Sequence, residues 1–119
     1  MIAVDTNILV HAHRAESPWH KQALVAVSTL ANGVERWAIP WPCLHEFFGV
    51  TTNPRVFKPP TPFDVICAQI DAWFGSPSLS LIGEQSGHWD KLKALAAAGK
   101  IVGPAIHDAR IAAICEQHG

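Results

Sequence analysis

Three short apolar runs, each followed by a segment with helical periodicity, constrain the fold of this sequence more than any other feature. Residues 1–4 are predicted to form a buried strand, and residues 37–40 and 79–82 a second and a third strand. Apolar spacing, caps and first-turn prolines predict helices over residues 17–30, 42–50, 63–74, 89–98 and 104–117. Strands that alternate with helices favour a parallel sheet. We therefore expect an α/β fold of three layers, with helices on both sides of a central parallel sheet.

Length and composition restrict the classes of function that need to be considered. The 119 residues, of which 49% are hydrophobic, fit a single domain over residues 1–119. A formal net charge of −1 excludes a broad cationic surface, so any nucleic acid must be bound by a local patch. The three cysteines are widely spaced, which indicates reduced thiols. No run reaches the roughly 20 apolar residues that cross a bilayer, so we expect no membrane association and a cytoplasmic location.

Three acids stand among apolar neighbours and predict a metal site. Asp5 ends the first apolar run, Glu46 lies inside the segment CLHEFFGV, and Asp108 begins the largely apolar last helix. Carboxylates that approach one another in such surroundings repel unless a cation lies between them. Mg²⁺ prefers oxygen ligands and leaves coordination places for water and for substrate phosphate. The acids therefore predict a divalent-metal site for phosphodiester chemistry at the carboxyl edge of the sheet.

Each acid also has an ordinary structural interpretation. Asp5 can cap a short helix that begins near Thr6. Glu46 can reach solvent or pair with Arg55, and Asp108 can be stabilised by the positive end of its helix. These alternatives stay open at the level of sequence.

Substrate contacts are predicted near the second acid. Arg55 and Lys58 lie in the proline-rich loop NPRVFKPP and offer a local positive patch for phosphates. Trp41, just before the Glu46 helix, is a candidate for stacking on a base. The ordinary alternatives are solvated charges for the two cations and a packing role for the tryptophan.

Three segments in order along the chain resemble the PIN domain, in particular the VapC ribonuclease toxins. They are VDTNILVHA, PWPCLHEFFGVTTNPRVF and GPAIHDARIAAICEQHG, and the resemblance extends over essentially the whole chain. It implies Mg²⁺- or Mn²⁺-dependent endonucleolytic cleavage of RNA, neutralisation by a cognate antitoxin, and formation of a homodimer.

The resemblance also implies roles for individual residues. Asp5, Glu46 and Asp108 correspond to the first three acids of the family, as catalytic metal ligands. Thr6 and Asn7 match the polar pair that supports the first acid. Thr6 is expected to orient a water molecule as a catalytic residue, and Asn7 to fix the Asp5 carboxylate through a hydrogen bond.

The sequence departs from the family pattern after the third motif. PIN domains of this type usually continue into another strand that carries a fourth acid, whereas this sequence stops at Gly119. We therefore expect a truncated domain that lacks the C-terminal part of a five-stranded sheet and leaves the first strand with an unpaired edge.

Two other functions remain open. One is a non-catalytic PIN-like module that has lost the fourth acid and binds RNA or antitoxin only. The other is a phosphohydrolase with Asp5 as a covalent nucleophile, which is disfavoured because Asn7 stands where such motifs usually carry a second aspartate.

Overall fold

The computed structural model describes residues 1–119 and contains one parallel sheet. Its strands are β1 (Ile2–Ala3), β2 (Trp37–Pro40) and β3 (Leu79–Ile82), in the order β1-β2-β3. Ile2 pairs with Trp37, and Trp37 pairs with Leu79. The expected α/β fold with a parallel sheet is confirmed, with β2 as the central strand.

Six α-helices connect and cover the strands. They are α1 (Thr6–His13), α2 (His20–Asn32), α3 (Trp41–Thr51), α4 (Phe63–Phe74), α5 (His88–Ala98) and α6 (Ile106–His118), with a short 3-10 turn over Gly103–Ala105 before α6. None of these helices combines the length and the apolar character needed to span a membrane. The strands β2 and β3 and the helix α4 have the bounds that the sequence predicts.

Helix α2 begins three residues later than predicted, at His20 instead of Ser17. The reason is a local turn: the Ser17 hydroxyl accepts a hydrogen bond from the Trp19 backbone N–H at 3.2 Å. Serine side chains often replace helical bonds in this way, because they satisfy nearby backbone groups outside the helix.

The hydrophobic core surrounds β2, whose four residues are all buried. Trp37 and Ile39 are fully buried and share the main cluster with Phe47 of α3 and Ile66 of α4. The indole Nε1 of Trp37 donates to Ser76 Oγ at 3.1 Å, so its polar atom keeps a partner inside the core. The residues that follow β2 are thus held by the best-packed part of the molecule.

Strand β1 corrects one prediction. Its apolar sequence predicts burial, but Ile2 is 51% exposed and Ala3 is also exposed. The N–H groups of Ile2 and Val4 bond to Arg36 O and Ala38 O of the β2 side at 3.4 and 2.9 Å. Because backbone groups alternate in direction along a parallel strand, those of Ala3 point away from β2. Apolar side chains alone do not bury a strand that has a neighbour on one side only.

Candidate active site

Asp5 follows β1 and caps helix α1. Its Oδ1 accepts a hydrogen bond from the Ile8 backbone N–H at 3.2 Å, so the capping interpretation is correct. The side chain is nevertheless exposed, and its second carboxylate oxygen has no protein partner. Capping therefore orients the carboxylate while it leaves one oxygen available for a ligand.

Thr6 links the first candidate segment to the second. The side chain is buried, and its Oγ1 donates to the backbone carbonyl of Cys43 in α3 at 3.4 Å. This bond indicates a positioning role for Thr6, and its expected contact with a catalytic water stays a prediction. The bond from Thr6 to Cys43 holds the start of α1 against the start of α3.

Glu46 lies one helical turn after Cys43, so it lies near the point where Thr6 contacts α3. Burial raises the pKa of the Cys43 thiol, and the hydrogen bond from Thr6 opposes this rise. Glu46 is exposed and forms no ion pair with Arg55. Asp5 directly follows β1, and Glu46 lies in the helix that directly follows β2, so both belong to segments that leave the carboxyl edge of the parallel sheet, and both side chains reach solvent.

Asp108 lies in the first turn of α6 and is exposed. Helix α6 is anchored to the sheet by Ile114, which packs against Ala38 of β2 and Ile82 of β3. Two residues after Asp108, Arg110 forms an ion pair with Glu84 in the segment that follows β3. Hydrogen bonding from this guanidinium lowers the pKa of Glu84. These contacts place the first turns of α6 beside the segment that leaves β3.

The sequence predicts that the three acids lie among apolar side chains. This prediction is wrong, because Asp5, Glu46 and Asp108 are all exposed. Apolar neighbours in the sequence do not bury a side chain that points away from the surfaces on which its segment packs. No group of three or more His, Cys, Asp and Glu side chains converges closely enough to hold a metal ion. The chemistry of the donor set still fits Mg²⁺, which commonly takes one or two carboxylates and completes its shell with water and substrate phosphate.

A cleft of about 480 Å³ opens beside Asp5 between α1 and α2. Asn7, the expected supporting residue, is exposed and lines this cleft, and no hydrogen bond joins it to Asp5. Three further lining residues were missed by the sequence analysis, namely His11, Trp19 and Gln22. The signal that could have found Trp19 and Gln22 is the spacing of Trp19, Gln22, Ala23 and Ala26, which predicts one helix face turned towards α1. No comparable signal marks His11.

The predicted substrate contacts lie apart from this cleft. Trp41 lines a separate apolar cleft of about 380 Å³ and packs edge-on against Phe74, with ring centroids 6.1 Å apart. Arg55 and Lys58 are exposed beyond the far end of α3 and have no carboxylate partner. Since an 11-residue helix is about 16 Å long, only an extended ligand of several nucleotides could reach from Asp5 to these cations.

Curated relatives identify the family. The chain is 34% identical over 113 residues to the VapC ribonuclease Mb2897 of Mycobacterium bovis, which covers 95% of this chain and 77% of that protein. The chain belongs to the VapC ribonuclease family. It is also 28% identical over 115 residues to the ribonuclease VapC48 of Mycobacterium tuberculosis, across 97% of this chain and 79% of the relative. No family model matches the chain. The VapC relationship confirms the predicted resemblance and is consistent with the PIN-like fold.

Proposed function

We propose that this protein is a VapC-type endoribonuclease that hydrolyses phosphodiester bonds of RNA with a divalent metal, Mg²⁺ or Mn²⁺. The observation that carries the proposal is the relationship to ribonucleases along 95% of the chain. The exposed acids Asp5 and Glu46 at one edge of the sheet supply oxygen donors for such an ion, and Asp108 on α6 supplies a third.

The protein's own residues hold and orient the reacting groups. Asp5 is fixed by its bond from Ile8 N–H, and Thr6 sets the distance between Asp5 and the helix of Glu46. A divalent ion supplies Lewis-acid chemistry that polarises the scissile phosphate and makes water a better nucleophile at neutral pH. The carboxylates also need this ion for electrostatic reasons, because they would otherwise repel the phosphate.

Removal of metal tests the enzymatic function. We expect cleavage of a single-stranded RNA with Mg²⁺ or Mn²⁺, and complete loss of cleavage with excess EDTA that is reversed when the metal is restored. Denaturing gels of an end-labelled oligonucleotide give the readout. Cleavage that continues unchanged in EDTA would contradict a metal-dependent mechanism.

The absence of a converged three-ligand group favours one alternative, a non-catalytic module that binds RNA or antitoxin. RNA binding without cleavage under any divalent metal would support this alternative against the enzyme.

As partners of the enzyme we propose RNA, a cognate antitoxin that neutralises it, and a second copy in a homodimer. Large exposed apolar side chains, including Val34 and Val102, offer surface for protein contacts.

Arg55 and Lys58 are proposed as phosphate contacts outside the acidic edge. Replacing both with alanine should weaken binding across RNA sequences and reduce the slope of log K against log salt by about 1.4, because each lost contact to a single strand accounts for roughly 0.7. Fluorescence anisotropy at several salt concentrations measures this slope.

The matched control is the double replacement Lys93→Ala and Lys100→Ala, which changes the net charge equally. It should leave the slope close to that of the wild type. Equal effects of the two double variants would show that net charge alone governs binding, and would remove the assignment of Arg55 and Lys58.

A further inference from the structure

The cleft between α1 and α2 differs from the other surface depressions because it combines a candidate metal ligand, amide groups and an exposed aromatic ring. Asp5, Asn7 and His11 line it from the α1 side, and Trp19 and Gln22 from the α2 side. Its volume of about 480 Å³ lies within the range of small-ligand sites. Trp19 and Gln22 do not belong to the proposed metal site.

Trp19 is exposed although its backbone is fixed. Its side chain is 59% exposed, and it is absent from the hydrophobic core. Its N–H donates to Ser17 Oγ at 3.2 Å, and its carbonyl accepts from Ala23 N–H at 3.0 Å. A large flat ring is therefore held at the edge of the cleft, with much of its surface left free for contact.

His11 is fixed by the same serine. Its Nδ1 lies 2.6 Å from Ser17 Oγ, so one hydroxyl ties together the positions of His11 and Trp19. The carbonyl of His11 is bonded to His20 Nδ1 at 2.9 Å, which adds a second link between α1 and α2. The Nε2 atom of His11 has no protein partner. Such prior fixing of the cleft walls reduces the entropy lost when a ligand binds.

The charge of the cleft decides which part of a nucleotide it suits. Asp5 is the acid that lines it and no Lys or Arg does, so a phosphate without a cation is repelled. Asn7 and Gln22 offer both donors and acceptors, which match the edge of a neutral base. An exposed tryptophan ring provides the flat face on which a base stacks.

We propose that this cleft is a nucleobase pocket in which Trp19 stacks on one unpaired base of single-stranded RNA, next to the phosphate directed towards Asp5. The inference rests on the proposed function, since it names the part of the RNA substrate that this side of the site binds. Gln22, Asn7 and His11 Nε2 then contact the edge of the base. The pocket favours single strands, because a base inside a duplex is already stacked and paired.

Binding measured without cleavage tests the pocket. Fluorescence anisotropy of a labelled single-stranded oligoribonucleotide is recorded in EDTA, and a gel confirms that the RNA stays intact. Trp19→Ala should raise the Kd roughly 5- to 140-fold, the loss that corresponds to one stacked base. Trp19→Phe should recover most of the affinity, since phenylalanine keeps an aromatic face. Trp89→Ala, at a similarly exposed tryptophan outside the cleft, should bind as the wild type.

An oligonucleotide of the same length without bases distinguishes stacking from other effects. The Trp19→Ala and wild-type proteins should bind this abasic strand equally, because it offers phosphates but nothing to stack. If Trp19→Ala weakened binding of intact and abasic strands equally, or left binding of intact RNA unchanged, the proposal would be overturned.

If Trp19→Ala left RNA binding unchanged but lost self-association in light scattering, Trp19 would instead belong to a protein interface. Failure of cleavage with metal, while Trp19 still governs binding, would refute the enzymatic function and leave the pocket standing.

Discussion

Asp5→Asn should reduce RNA cleavage by more than about 100-fold while the fold stays intact. Losses of roughly 10- to 100-fold are typical when only an outer-shell partner of a metal ligand is changed, and a direct ligand should cost more. Asparagine caps helices about as well as aspartate, so the bond from Ile8 N–H to residue 5 is retained. Initial cleavage rates with Mg²⁺ and the melting temperature without metal provide the two measurements.

The melting temperature is the informative part of this experiment. If Asp5 and Glu46 hold one ion, removing a negative charge relieves repulsion between them in the absence of metal, so the variant should melt no lower than the wild type. Asp5→Ala, by contrast, also removes the cap and should lose about 1 kcal/mol of unfolding free energy. Asp64→Asn, at an exposed first-turn acid of α4, is the matched control and should cleave normally. Wild-type rates in Asp5→Asn, with EDTA still inhibitory, would remove Asp5 from the metal site.

Phe47→Ala should destabilise the protein by about 3–5 kcal/mol, a large part of the 5–15 kcal/mol typical of a domain. Phe47 is fully buried, and its ring centroid lies 4.9 Å from that of Trp73 on α4 and 5.5 Å from that of His13 on α1. Its removal leaves a cavity where three helices meet. Urea unfolding followed by circular dichroism measures the loss.

The matched control is Phe63→Ala, because Phe63 is 71% exposed. It should change stability by less than about 1 kcal/mol. Comparable losses in the two variants would mean that Phe47 does not hold α3 in place, and that Glu46 beside it is positioned by other contacts.

Much of the architecture could be predicted from the sequence because it depends on local patterns. The apolar run over residues 37–40 matches β2, and α4 begins and ends where its periodicity and flanking prolines predict. The exposure of Glu46 could not be predicted in the same way. Periodicity shows which positions on a helix are apolar, but only the packed structure shows which faces another element covers.

In the candidate site, too, some residues can be recognised from sequence motifs and others only from the packing of the helices. Asp5, Glu46 and Asp108 stand out in the sequence by their motifs, whereas Trp19 does not, because its importance depends on α2 lying against α1 beside Asp5. The contact that Thr6 makes in the structure also adds to its interpretation. Its place next to Asp5 in the sequence predicts a contact with water, and its bond to Cys43 adds a link between two helices that the sequence does not reveal.

The bond from Thr6 to Cys43 joins residues 37 positions apart, and its topology has a consequence for synthesis of the protein. A chain that leaves the ribosome carries Asp5 early, yet β1 has no partner until β2 has emerged, and Asp108 arrives only with α6. If the three acids act together, a partly synthesised chain contains some of them before the fold has brought all three into place. A ribonuclease site that needs all three acids would then form only after α6 has been translated.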